Sequence, residues 1–203
     1  MDERRSGRTS AGRPLPAPIG PTRPARPGDV GRQQAVERAA GARFADVGLA
    51  AIAADEPMSA ETLGAYCRAG RSWVATDLHG SVVGYVVVDT IDACAHIEQV
   101  SVDPAHQGHG LGRALIDEVE RWATARDLEG ITLATFTDVP WNRPLYEHLG
   151  FLVLADDQLS PGLRSLRDRE AAHGLASELR VCMHRPTARS APAADPSGSA
   201  DAR

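Results

Sequence analysis

The chain has no lysine: all 22 of its basic side chains are arginine. Alanine, glycine and proline are abundant alongside them, so genomic base bias is the simplest source of the substitution. Cysteine is scarce too. Cys67, Cys94 and Cys182 show neither paired nor metal-like spacing, which argues against a disulfide scaffold and against a zinc site. No apolar run approaches the roughly 20 residues of a membrane-spanning helix. Arg4 and Arg5 are not followed by the apolar stretch of an export signal, so the cytoplasm is the expected compartment. No internal repeat is visible.

What is present suits a soluble folded unit. With 203 residues, 42% hydrophobic and 24% charged, the chain can build one core, of about 150 residues with extensions at its ends. Residues 1–31 carry six Arg against three acids and hold six prolines, whereas residues 32–185 carry fourteen Arg against twenty-two acids. Residues 1–20 therefore read as a basic, disordered Pro/Arg-rich arm and 187–203 as a disordered tail, leaving 21–186 as the domain. Six arginines scattered among prolines are a weak electrostatic footprint and do not indicate nucleic acid.

Strands are predicted at Thr22–Ala25, Ser72–Thr76, Val82–Asp89, Ala95–Val102, Ile131–Thr137, Phe151–Ala155 and Leu179–Arg185, with a tight hairpin at His79-Gly80. Asp29 caps a helix to about Ala40, Ser59 caps one through Tyr66 to Ala69, a long helix runs from Gly110 to about Arg126, and a short one covers Pro144–Leu149. This order of mixed elements implies an α/β fold around a central, mainly antiparallel sheet.

The most informative stretch lies between one strand and the long helix. Gln107-Gly108-His109-Gly110-Leu111-Gly112-Arg113 follows a strand stopped by Asp103-Pro104 and opens a helix whose Leu111, Leu115, Val119 and Trp122 recur at helical spacing. Three glycines at a helix N-terminus let an anion approach backbone N–H groups closely. A Walker loop would end in Gly-Lys-Ser/Thr, but Gly112 precedes Arg113-Ala114; a dinucleotide fingerprint would need glycine at 113. A second motif, from Asn142 through Tyr146 to Gly150-Phe151, reads as a capped helix closed by a left-handed glycine before a strand.

Gln107-x-x-Gly110-x-Gly112 and Asn142-x-x-x-Tyr146-x-x-x-Gly150-Phe151 together resemble the GCN5-related N-acetyltransferase (GNAT) superfamily. The resemblance spans about residues 22–185, with its specific motifs within 82–151. It implies a twisted mixed sheet flanked by helices and acetyl-coenzyme A as co-substrate, bound by Val100, Ser101, Val102, Gln107, Gly108, His109, Gly110, Leu111, Gly112, Arg113, Asn142 and Tyr146. Tyr146 matches the family position that protonates the departing thiolate; taken alone it reads as a core aromatic.

Glu98 lies where relatives often carry a carboxylate, two residues before Val100 and expected on the same strand face. It is the candidate base, with a solvated or Arg-paired strand Glu as the plain alternative. His96 is a weaker candidate. Asp55 and Glu56 could attract a cationic amine or simply be solvated, and Trp141 and Phe136 could line an acceptor pocket or cover the core.

The expected activity is direct acetyl transfer to an amine on a small molecule or peptide, without metal and without membrane association. Another acyl donor, an oxygen acceptor, a coenzyme A-binding module without turnover, and a homodimer stay open. Lacking lysine, such an enzyme could acetylate itself only at its N-terminus.

Overall fold

The computed structural model describes residues 19–172 and 179–187, which form a seven-stranded sheet flanked by helices. The strands are β1 (Ile19–Pro24), β2 (Ser72–Asp77), β3 (Val82–Ile91), β4 (Cys94–Val102), β5 (Gly130–Phe136), β6 (Leu152–Val153) and β7 (Arg180–Pro186). The sheet order is β1-β2-β3-β4-β5-β7-β6, and only β4 and β5 run parallel. The helices are α1 (Val30–Gly41), α2 (Ala50–Ala53), α3 (Ala60–Arg68), α4 (Leu111–Thr124), α5 (Arg143–His148) and α6 (Pro161–Ala172).

The two sheet faces carry separate cores. On one, α4 buries Leu111, Leu115, Ile116, Val119, Trp122 and Ala123 against Val86, Val88, Ala95, Ile97, Ile131, Leu133 and Met183, with Leu149 and Phe151 after α5 completing the layer. This is the stripe expected of an amphipathic helix packed on a sheet. On the other face, Val36 of α1 and Leu63 and Tyr66 of α3 pack on Val74, Val82, Tyr85 and Val87. Cys182 points away from Met183, onto that same second face, where Leu163 and Leu166 of α6 cover it. One layer is thus α4–α5, and the opposite layer is α1, α3 and α6.

Several local expectations change. Ser59 caps α3 as predicted, its Oγ accepting from the Thr62 N–H at 3.1 Å. Asp29 does not cap α1 with its side chain; its carboxylate instead accepts from the Arg26 N–H and pairs with Arg23 at 2.7 Å. Asn142 occupies the N-cap position of α5 without a side-chain hydrogen bond. The strand expected at Phe151–Ala155 shortens to Leu152–Val153, a stub at the sheet edge. A 3-10 turn at Ala42–Val47, the single turn α2 and the whole of α6 come in addition to the predicted elements. The proposed arm and tail lie outside the described residues, apart from 19–20 and 187.

Candidate active site

Parallel pairing of β4 with β5 runs from Cys94↔Gly130 to Ile97↔Leu133 and stops there. Beyond that point β4 continues its pairing with β3, through Gln99↔Val87, Val100↔Val86, Ser101↔Tyr85 and Val102↔Gly84. Its other edge is therefore unpaired and opens, with the end of β5, into a cleft of about 980 Å³. The cleft reaches both layers, from Gly112 and Tyr146 on one side to Glu37 and Phe136 on the other.

At the same point β4 carries a bulge. Ile97 pairs with Val88 and Gln99 with Val87, which leaves Glu98 as the extra residue. The bulge resets the alternation: Ala95 and Ile97 face α4, and so do Val100 and Val102. Glu98 consequently does not share a face with Val100, contrary to the strict two-residue period. It projects with Gln99 toward the α1–α6 layer, and His96 shares that side. Bulges re-aim side chains in this way and are frequent beside active sites.

Glu98 makes no ion pair or hydrogen bond among the described residues, and its exposed side chain lines the cleft. Concave walls thin its hydration, so burial pushes its carboxyl above the usual carboxylate range. The negative charges of Asp89 and Glu170 add to this; Arg169 and Arg180 oppose it. His96 is buried beneath the cleft floor, its Nδ1 2.9 Å from Thr132 Oγ1, and burial drives its imidazole down to about 4. It is a neutral structural residue at pH 7.

The glycine loop forms the other end. Gly108 and Gly110 both take φ of +79°, a conformation that L side chains rarely adopt. A Cβ on Gly112 would meet nothing within 4 Å, so this glycine leaves open space at the start of α4. Among the described residues, the N–H groups from Gly108 to Arg113 have no backbone or side-chain acceptor, and the first bond of the helix is Ala114 N–H to Gly110 C=O. Unpaired N–H groups converging at the positive end of a 14-residue helix make an anion cradle. Gln107 holds its shape: Nε2 donates to the Val102 carbonyl at 3.0 Å, and Oε1 accepts from Arg43. His109 lies outside the cleft wall, its Nδ1 3.0 Å from the His106 carbonyl. The remaining expected cofactor-binding residues all line the cleft.

Tyr146 packs edge-on against Phe151, with centroids 5.9 Å apart, which anchors its ring at the cleft wall. Its hydroxyl has no hydrogen-bond partner among the described residues. Burial pushes the phenol up to about 12, so it holds its proton at neutral pH. Across the gap, Phe136 packs at a tilt against Phe44, with centroids 5.5 Å apart, and Phe44 likewise against Trp141 at 6.2 Å. Arg43 lies 4.3 Å over Trp141 and so ties the turn after α1 to both the β5–α5 connection and the glycine loop. Arg180 lies 4.9 Å over Phe136 and is gripped by both Glu170 oxygens.

Arg43, Phe44, Glu170 and Arg180 carry no motif in the sequence. The bulge did leave a trace: the adjacent polar pair Glu98-Gln99 between Ile97 and Val100 breaks the alternation. Among the described residues no group of three or more His, Cys, Asp or Glu could hold a metal, and no helix is long and apolar enough to cross a membrane.

An open mixed sheet with an anion cradle after β4 defines an acyltransferase-like architecture, and the comparisons agree. The acetyltransferase (GNAT) family model matches residues 47–151, and the chain belongs to that family. It is 37% identical over 67 residues to the amino-acid acetyltransferase of Mycobacterium tuberculosis, covering 32% of this chain and 38% of that protein. It is 31% identical over 110 residues to N-alpha-acetyltransferase 40 of Saccharomyces cerevisiae, covering 51% of this chain and 38% of that protein. This chain thus spans less than two fifths of either relative. N-acetylglutamate synthase from Neisseria gonorrhoeae, solved with coenzyme A and N-acetyl-glutamate, superposes with a TM-score of 0.64 at 16% identity, over 85% of this chain and 36% of that one. At that identity the likeness is one of fold.

Proposed function

We propose that this protein is an acetyl-coenzyme A-dependent N-acetyltransferase that passes the acetyl group directly to an amine within a ternary complex. The observation that carries this reading is the gap between β4 and β5. It joins an anion cradle on the α4 face to an unpaired carboxylate on the opposite face. Two substrates entering from opposite layers can meet there.

The residues present fit the co-substrate. The loop N–H groups of Gly108–Arg113 hold the pyrophosphate, Gln107 keeps the loop in shape, and the free edge of Val100–Val102 offers backbone groups to the pantetheine arm. The amine nitrogen attacks the thioester carbonyl, forming a C–N bond while the C–S bond breaks. Glu98 receives the ammonium proton, through water, and its raised affinity for protons suits that task. A backbone N–H on the open edge of β4 stabilises the oxyanion, a contribution of about 3–4 kcal/mol in a water-poor site. Tyr146 gives its proton to the leaving thiolate and is restored, through water, by the second proton that the nitrogen sheds as the amide forms. None of the three cysteines lines the cleft, which favours direct transfer over a covalent acetyl-enzyme.

The relatives' names point the same way: one is named for amino-acid acetylation and the other for N-alpha acetylation. The test is coenzyme A release from acetyl-coenzyme A with a panel of amines, amino acids, peptides and polyamines, followed by initial-rate kinetics. Intersecting lines are expected. Parallel lines would indicate a covalent carrier, and tight binding without release by any acceptor would make the protein a binding module.

A further inference from the structure

Charge on the acceptor side of the cleft is lopsided once each ion pair is assigned. Four arginines line the cleft: Arg38, Arg43, Arg113 and Arg180. Arg113 belongs to the glycine loop, and Arg43 is held between Gln107 and Trp141. Arg180 is largely buried, its Nε and Nη2 donate to the two Glu170 oxygens at 3.1 and 2.7 Å, and Nη2 also donates to the Ala134 carbonyl. Arg38 sits at the exposed rim, 3.2 Å from Glu56. Arg38 and Arg180 are thus matched by carboxylates, Arg43 is held by neutral partners alone, and all of these cations are engaged.

The remaining carboxylates lack cations. Glu98 and Asp55 line the same side and make no ion pair among the described residues. Glu37 is held by neutral donors, the Tyr85 hydroxyl at 2.6 Å and the Met58 N–H at 3.1 Å, so its charge also lacks a cation. Asp89, behind Glu98, is paired with Arg71. Three carboxylates against the neutrally held Arg43 leave two uncompensated negative charges facing the acceptor, one more than a single ammonium supplies, and among the described residues no cleft arginine on this side lacks a partner.

We infer that the acceptor is an amine carrying a second positive charge and no free carboxylate, with Glu98 meeting the reacting nitrogen and Asp55 and Glu37 meeting the distal cation. This rests on the N-acetyltransferase reading above. An α-amino acid is disfavoured because its carboxylate would have to displace Glu170 from Arg180, or pull Arg43 away from Gln107 and Trp141.

The test compares acceptors that differ only in distal charge. Diaminobutane, butylamine and γ-aminobutyrate form one series; amidated tripeptides Ala-Xaa-Gly with Arg, Leu or Glu in the middle form the other. In whichever series turns over, kcat/KM is expected to fall from cationic to neutral to anionic member, by roughly 3–10-fold per step and less at high salt, as for one or two partly screened charge pairs. Preference for the first series assigns a small-molecule source and for the second a peptide source. Asp55→Asn should narrow the cationic-to-neutral ratio, and Glu170→Gln, by releasing Arg180, should raise the relative rate of the anionic member. A flat or reversed order, or ratios unmoved by both variants, overturns the inference while leaving amine acetylation standing. Absence of coenzyme A release in both series and across the wider panel would instead remove the N-acetyltransferase reading itself.

Discussion

Replacing Gly112 by Asp separates a functional glycine from a structural one, because stability and affinity should move in opposite directions. Nothing lies within 4 Å of a Cβ at this position, and its backbone is not in the left-handed region. It is the second residue of α4. There a carboxylate gains from the helix dipole about 0.3–1 kcal/mol, and the loss of glycine's backbone freedom adds a few tenths. The unliganded protein should therefore melt at an unchanged temperature or up to about 4 °C higher. The same carboxylate would sit in the cradle of free N–H groups between Gly108 and Arg113. Two unit charges about 4 Å apart repel by up to about 4 kcal/mol at an effective dielectric near 20, and solvent reduces this. A loss of about 10²-fold in coenzyme A affinity is the expected result. Calorimetry with coenzyme A should show it, while acetyl-pantetheine, which lacks phosphate, should bind the variant and the wild type alike. Coenzyme A affinity within about twofold of wild type, in a protein of normal melting temperature, would refute the assignment of this loop.

Tyr146→Phe should leave fold and cofactor affinity intact, since the hydroxyl has no partner to lose, and should lower kcat by about 10²-fold, the lower end for general-acid assistance; an unchanged kcat with chemistry rate-limiting would reduce Tyr146 to packing. Glu98→Gln should depress kcat/KM most at low pH and converge on wild type as pH approaches the acceptor amine's own pKa, with the wild-type acid limb above the usual carboxylate range because burial raises the Glu98 carboxyl; a uniform drop at all pH values would mean orientation rather than proton transfer. His96 tests the linkage between burial and pH. Its folded-state value of about 4 lies below the unfolded 6.5, so the unfolded chain binds a proton that the folded chain refuses. Stability then falls as pH drops through that window, by up to about 3 kcal/mol, and urea titrations of His96→Gln should show a correspondingly weaker pH dependence.

The glycine-loop half of the candidate site was legible in the sequence, and the opposite wall of the cleft was not, for a physical reason. The loop after β4 depends on backbone conformation and a helix terminus, which glycine spacing and the stripe Leu111–Leu115–Val119–Trp122 encode locally. The opposite wall is assembled from the turn carrying Arg43 and Phe44, the end of β5, and Glu170 of α6 beside Arg180 of β7, segments far apart in the chain with no pattern of their own. Arg180 reads as an ordinary strand residue until Glu170 is seen beside it. The polar caps failed differently: Asp29 and Asn142 stand where capping residues stand, but Arg23 and the Arg26 N–H claim the first, and the second lines the cleft.

Glu98 shows how the two halves are joined. Were β4 regular, Glu98, Val100 and Val102 would lie on one face. The carboxylate would then enter the α4 core without a partner, at a cost of several kcal/mol, or the two valines would leave that core for the cleft. One extra residue removes the conflict: the valines stay against Leu111 and Leu115, and Glu98 turns to the opposite layer. Because the bulge falls immediately after Ile97↔Leu133, it also coincides with the end of β5 pairing. A single insertion thus frees the strand edge and aims the carboxylate at the same position. Deleting Gln99 tests that coupling: Ile97, Val100 and Val102 keep the α4 face and Glu98 the opposite one, so the fold should survive, but the extra residue that re-aims the carboxylate at the end of β5 pairing is gone and turnover should fall. Full activity in the deletion variant would show that the bulge does not aim the carboxylate.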